Sequence, residues 1–275
     1  MRRERHVFVW IGAAIVGLLV LVAVLAPLLA PFDPRAPAGP SLAAPSAAHL
    51  LGTNDAGQDI LSQLIWGTRS SATVAVLAAS IAVGIGVAVG ATAGLLGGTT
   101  DVVAMRCVDV FLAVPGLPLL ILVAALAGPS RATVILVIGA TGWPPVARVV
   151  RSQTLTLRGR GYVAAARGFG SGRVYVLRRH LVPVLTPLAA ANFVYWASTA
   201  VVLQAGLAFL GLSDPTEVSW GSILNRALAH QGIYFSSVWL WWVLPAGLAI
   251  TVAALGLSFL GVGLEPRANP RWRRA

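Results

Sequence analysis

Between Arg151 and Val182 the chain carries seven arginines, at 151, 158, 160, 167, 173, 178 and 179, and no acidic residue. Such a stretch is built for recognition: guanidinium groups bind carboxylates and phosphates but stay charged, so they neither give nor take protons near neutral pH. Tyr162 to Phe169 suits a short helix, because Ala164, Ala165 and Ala166 are strong helix formers. Gly168, Gly170 and Gly172 punctuate it. Val174, Leu177 and Leu181 then recur at helical spacing and predict one apolar stripe, with Arg173, Arg178 and Arg179 on the other faces. Pro183 is expected to end that helix. Two short helices joined by glycine suit a part that carries a push from a partner. A basic loop lying on anionic lipid fits the same pattern, and at this level both readings stand. His180 within the stretch reads as a packed or interfacial residue rather than a pH sensor.

Groups for bond-making chemistry are absent. No lysine occurs, so no Walker-type phosphate loop can be completed. No paired carboxylates, His/Cys metal cluster or Gly-x-Ser-x-Gly elbow is present. The lone Cys107 excludes an internal disulfide and reads as a small packed residue inside an apolar run.

The elements around the arginines must be membrane helices. The 275 residues are 57% hydrophobic and 11% charged, with mean hydropathy +0.81; a soluble domain carries about 25% charged residues. Spans are predicted at about 7–30, 72–97, 103–127, 132–150, 184–211 and 238–264. The first could be mistaken for a cleaved signal peptide, but its apolar run is long and Pro27-Leu-Leu-Ala-Pro31 is a poor cleavage site. Residues 31–71 read as a Pro/Gly/Ala-rich linker ending in a short amphipathic piece. Gly86, Gly90 and Gly94 form a small-residue stripe, either for close helix approach or as compositional filler. Arg106 and Asp109 are spaced to pair at i, i+3. Pro115 and Pro118 should kink the third span, and Gly142-Trp-Pro-Pro145 should break the fourth. Trp239, Trp241 and Trp242 read as an interfacial belt.

Six spans put both termini on one side. That side and its loops hold sixteen arginines, the other four: Arg35, Arg69, Arg131 and Arg226. Positive charge is retained in the cytoplasm. The expectation is therefore a multi-pass protein of the cell (inner or cytoplasmic) membrane with both termini and the 151–183 loop cytoplasmic. The net charge of +11 needs no nucleic acid to explain it. Residues 1–71 form a tail, first span and extracytoplasmic linker, 72–265 a five-span core, and 266–275 a basic cytoplasmic tail.

The loop resembles the EAA loop of binding-protein-dependent ABC importer permeases. Ala164-Ala165-Ala166, Gly170 and Val182-Pro183 fall at that motif's positions, with Ala164 where the family has glutamate and His180 at a hydrophobic position. Leu51-Gly-Thr-Asn-Asp-Ala-Gly-Gln-Asp-Ile-Leu-Ser-Gln-Leu-Ile-Trp-Gly67 is similar to the signature before the second span of the C-type permeases of dipeptide, oligopeptide and nickel importers, with Gln58 and Gln63 where arginine is usual. Gly139-Ala-Thr-Gly-Trp-Pro144 with Ala147-Arg148, Ala208-Phe-Leu-Gly-Leu212 and Ser219-Trp-Gly-Ser222 extend the resemblance over residues 1–265.

The resemblance implies an all-α integral membrane protein with the type I ABC importer permease fold. It implies a coupling loop that docks on the ATPase through Tyr162, Ala164, Ala165, Ala166, Arg167, Gly170, Arg173, Arg178, Arg179, His180 and Pro183. The implied partners are a homologous second permease (as a heterodimer), two ATPase domains, separate or fused, that hold ATP and magnesium, and an extracytoplasmic solute-binding protein or lipoprotein. The chain itself would bind no cofactor and perform no catalysis. Peptide would pass weakly polar span residues, for which Asn192, Ser198, Thr199 and Gln204 are candidates; helix packing explains each of them equally well. Nickel–chelate import is the alternative within transport, disfavoured for free metal because no histidine lies in a span. An intramembrane enzyme is the remote one, since Asp109 is the only acid in any span.

Overall fold

A computed structural model describes residues 2–268, with side chains from residue 7 to residue 264. Arg271, Arg273 and Arg274 of the basic tail lie outside the described residues. The helices are α1 (Arg2–Leu29), α2 (Ile60–Leu96), α3 (Gly98–Ala113), α4 (Gly116–Ala127), α5 (Arg131–Arg158), α6 (Gly161–Gly168), α7 (Arg173–Val176), α8 (Val182–Phe209), α9 (Trp220–Ala229) and α10 (Trp239–Ala268). A π-helical turn, Leu177–Leu181, joins α7 to α8, and a 3-10 turn, Ile233–Phe235, follows α9. Five helical stretches are long and apolar enough to cross a membrane, and α3 with α4 makes a sixth as a pair bent by 86°.

The bundle is organised around α2 and α5, which run side by side in the same direction. Gly86, Gly90 and Gly94 are the reason. A Cβ on them would collide with Val146, with the Ala147 carbonyl and with Thr154, respectively. The stripe is therefore a contact surface: without side chains between them the two backbones meet directly. α1 and α10 pack antiparallel by the same device, with Gly12 against the Leu260 and Gly256 backbone and Gly263 against Val9. Much of the remaining apolar surface is open: Leu18 on α1 is 61% exposed, and Leu117 and Leu126 on α4 are 61% and 80% exposed. Such surface belongs against lipid or another membrane subunit.

Several expectations about proline change. The third span is broken rather than kinked. Val114 is extended (φ −84°, ψ 131°), as the residue before a proline prefers, and Pro118 falls in the first turn of α4, where it costs little. Conversely, α5 runs unbroken through Pro144 and Pro145. Gly142, at the same level, lets Ala82 and the Trp196 ring pack in close, so neighbours hold the helix on course. α2 begins at Ile60, twelve residues before the predicted span. Asp59 caps it, accepting from the Ser62 N–H at 2.8 Å and from its hydroxyl at 2.7 Å.

Three side-chain expectations are also revised. Asp109 pairs with Arg148 of α5 at 2.7 Å, not with Arg106. Cys107 is exposed on α3. Of the three tryptophans only Trp239 is at the surface. Trp242 is fully buried among Ile60, Ile223, Val238 and Ala246, and Trp241 packs against that cluster. These rings build a core at the end where α2 and α5 begin.

Candidate functional site: the arginine loop between α5 and α8

The end of α5 is locked to its neighbours before the loop begins. Arg151 grips the Asp101 carboxylate of α3 with two nitrogens, Nη2 to Oδ2 at 2.6 Å, a forked pairing open to arginine alone. Arg158 Nη1 donates to the Gly94 carbonyl at 3.1 Å, supplying a donor to the C-terminal carbonyls of α2. Two of the seven arginines are thus structural.

Beyond Gly159 the chain turns into α6, whose Val163 is fully buried. Gly170 takes φ +83°, a left-handed conformation that reverses the chain between the two helices. α7 and the π turn then drive Val176 and Leu181 into the same apolar cluster as Val163. Val83, Ala91 and Leu95 of α2, Val146 and Val150 of α5 and Leu185 of α8 complete it. The loop is thus a packed unit with a core continuous with the spans.

The predicted stripe is partly wrong. Leu177 is partly buried and Leu181 fully buried, but Val174 is 65% exposed and Val176 points inward. A turn of five residues puts Val176 and Leu181 on one side, where α-helical spacing would have chosen 174, 177 and 181. Nor does Pro183 end the helix. The Val182 N–H reaches back to the Leu177 carbonyl, and the wider turn gives room for the carbonyl that a proline ring would strike. One helical path runs from Arg173 to Phe209.

What remains outside is aromatic and basic. Phe169 at the tip is 92% exposed, Tyr162 45% and Tyr175 54%. His180 stands between the two tyrosine rings, with centroids 6.0 Å from Tyr162 and 5.7 Å from Tyr175, and ties α6 to the π turn. Ala164, Ala165, Arg167, Arg173, Arg178 and Arg179 are exposed and Ala166 half-buried. Ala164 thus presents a methyl group on the surface where the family motif presents a carboxylate. Exposed rings and guanidinium groups on a rigid, internally anchored frame suit shape-specific contact with a protein groove.

The candidate pathway residues scatter along α8. Ser198 donates to the Ala254 carbonyl of α10 at 2.9 Å, and Gln204 is buried, accepting from Ser71 of α2 at 3.0 Å. Both hold helices together. Asn192 and Thr199 bond within their own helix, to the Leu188 and Tyr195 carbonyls.

Sequence reading missed a polar cluster at the opposite end. The buried His49 ring faces the buried Asp59 carboxylate at 3.0 Å. Asn54 and Gln63 both donate to Gln58 Oε1 at 2.8 Å, and Gln63 also donates to the Pro34 carbonyl at 3.0 Å. Gln58 and Gln63 are therefore the centre of the network that folds the linker. The available signal was Asp59 three residues before Ser62 and just ahead of an apolar run, an N-cap pattern.

Several long apolar helices with a packed basic loop between two of them are the architecture of a multi-pass membrane protein. The chain belongs to the family of binding-protein-dependent transport system inner membrane components, whose pattern matches residues 82–274. A second pattern, the N-terminal transmembrane domain of oligopeptide transport permease C, matches residues 5–45. The chain has the type I ABC permease fold of that family and is a transport subunit, not an enzyme. It is 34% identical over 278 residues to a Brucella suis protein whose name marks it provisionally as a peptide permease, covering 98% of this chain and 91% of the relative. It is 31% identical to the dipeptide transport system permease protein of Bacillus subtilis, covering 99% and 85%. Identity is also 31% to the probable D,D-dipeptide transport system permease protein of Escherichia coli K12, covering 94% and 86%. Importers of this family work with ATPase subunits, a second permease and a substrate-binding protein.

Proposed function

We propose that the chain forms half of the translocation path of an ATP-driven peptide importer, as a heterodimer with a homologous permease. Both termini and the arginine loop lie in the cytoplasm, and the 31–59 linker lies outside, as the arginine asymmetry favours. The observation that carries this reading is the loop: its core is shared with α2, α5 and α8, so force applied to its surface reaches three spans without a flexible joint. Two partner ATPase domains, separate or fused, hold ATP and magnesium and press on Tyr162, Phe169 and the exposed arginines. Their closure moves α6 and α7 and with them the spans. A solute-binding protein or lipoprotein delivers peptide from outside. Inside the bilayer the path runs along the half-buried face of α8 that carries Asn192 and Thr199. Peptide as substrate is supported by the names of the relatives.

Replacing residues 162–179 by a Gly/Ser linker of equal length tests the docking role directly. The ATPase subunits should no longer copurify with the two permeases in detergent, while permease pairing survives. Copurification at the wild-type ratio would show that docking lies elsewhere. Uptake of radiolabelled dipeptide, compared with that of nickel, in a deletion strain tests the substrate; peptide uptake unaffected by the deletion would exclude the peptide assignment.

A further inference from the structure

Asp109 is the only acid within a predicted span, and it meets Arg148 across the contact of α3 with α5 at 2.7 Å. Both lie well inside their helices. Arg148 is about 15 Å along α5 from its end at Arg158, and Asp109 about 16 Å along α3 from its start at Gly98. Hydrocarbon does not tolerate charges on an outer face at such depth, yet both side chains are half exposed, at 55% and 49%. That face therefore meets water or protein.

The pair is built unlike its neighbour. Arg151 uses two nitrogens on both oxygens of Asp101, and that pair is the less exposed of the two. Arg148 and Asp109 share one hydrogen bond, from Nη2 to Oδ1. Among the described residues Asp109 Oδ2 accepts from no group, and the other Arg148 nitrogens donate to none. A clamp between helices would be forked; this pair leaves valence on both partners. Arg106, one turn earlier on α3, is exposed and has no carboxylate within ion-pair distance among the described residues. The patch thus holds two guanidinium groups against one carboxylate.

The surroundings favour water. Along α5, Arg148, Ser152 and Thr156 recur every fourth residue and all are exposed, so a polar stripe runs from the pair to the cytoplasmic end of the helix. Beyond the pair, Val110, Phe111 and Leu112 continue α3 with exposed apolar surface. On another side of α5 the Trp196 ring of α8 packs on Gly142, and Leu185 joins Val146 and Val150. Asn192 lies between those two contacts of α8, which sets the ion pair at the level of the proposed path. Sealing a pair with unmet valence inside a subunit interface would cost its hydration without supplying new partners.

We propose that Arg148 is a transient binding site for the carboxylate of the passing peptide, on the cytoplasmic half of the translocation path, with Asp109 as its positioning residue. The assignment rests on the peptide-importer reading above and adds to it a site and the chemical group recognised there. A peptide carries a free carboxylate at one end, and the planar guanidinium fork fits it. Asp109 holds Arg148 by a single bond and leaves its remaining donors to the substrate. It also weakens the site: an unshared arginine at this depth would trap an anion, whereas conduction needs a bond strong enough to enter and weak enough to leave.

Uptake of radiolabelled dipeptide by cells carrying the whole importer gives the first readout. Arg148→Gln should lower the maximal rate about fivefold or more at an unchanged half-saturating concentration, while Arg148→Lys, which keeps the charge, should retain more than half of it. Asp109→Asn with Arg148→Gln, which leaves no charge unpaired, should show the same loss, so that poor folding of the single variant cannot mimic the effect. Water at the site is read separately, in a Cys107→Ser background with Val149→Cys beside Arg148, Val149 being exposed. In inverted vesicles of the assembled importer, anionic and cationic membrane-impermeant methanethiosulfonates should both react there. The anionic reagent should be faster by about threefold, and Arg148→Gln should abolish that preference. No reaction with either reagent would put the face against lipid or the second permease and overturn the proposal. Reaction with both, but uptake by Arg148→Gln within about twofold of wild type, would make the pair a solvated structural contact and overturn it equally. If the wild-type importer takes up no dipeptide, the peptide reading itself falls, whatever the labelling shows.

Discussion

Ala164 and Gly170 give the loop its two residue-scale tests. Ala164 is exposed at the position where the motif it resembles has glutamate, so nothing in the chain depends on its size. Ala164→Glu should therefore leave peptide uptake within about twofold of wild type, since an exposed charge contributes little. Gly170 has open space around it, but its φ of +83° forbids a side chain without strain. Gly170→Leu should cost about 1–3 kcal/mol of local order and tilt Phe169 away from its place. Uptake should fall severely while the subunit still reaches the membrane, and normal transport by that variant would show that the reversal at Gly170 does not set the docking surface. Composition and spacing marked the loop, and the resemblance to the importer motif singled out these two residues. Neither could reveal that Arg151 and Arg158 are spent on Asp101 and Gly94, because those partners lie on other helices.

Among the elements, the contact between α2 and α5 holds the rest in place, and it is unforgiving. Gly90→Leu would push a side chain into the Ala147 carbonyl and should prevent recovery of the assembled complex, a cost of about 3 kcal/mol or more. Gly84→Leu, six residues earlier on an open face of the same helix, should assemble normally. Equal yields would mean that the glycine stripe is only filler. Length and hydrophobicity made the spans legible, and the clusters of Pro, Gly and Ala marked the linker. What stayed hidden was register. Nothing local distinguishes Pro115, where the chain breaks, from Pro144 and Pro145, where neighbouring helices carry α5 through. In the linker, His49 and Asp59 or Gln63 and Pro34 meet only after folding, so the network had no sequence period to betray it.

For the whole molecule, the arrangement of charge predicts sidedness. In a Cys107→Ser background, a cysteine at Ala164 should react with a membrane-impermeant maleimide only in inverted vesicles, and one at Ala36 only in intact cells. The reverse pattern would invert every functional assignment made for the two ends. The two faces are also built differently. One offers aromatic rings and arginines on a unit anchored by apolar packing, the other a linker held by hydrogen bonds. A last consequence follows from the five-residue turn at Leu177–Leu181. An ordinary helical turn uses 3.6 residues, so the widened one takes up one extra residue between the loop and α8. Deleting a single residue there would close the wide turn to an ordinary one, four residues covering the arc that five cover now, so the rest of α8 would keep its angular setting and Ser198 and Gln204 their partners on α10 and α2. One surplus residue is thus absorbed beside the docking surface, and the angular setting of the membrane span does not depend on it.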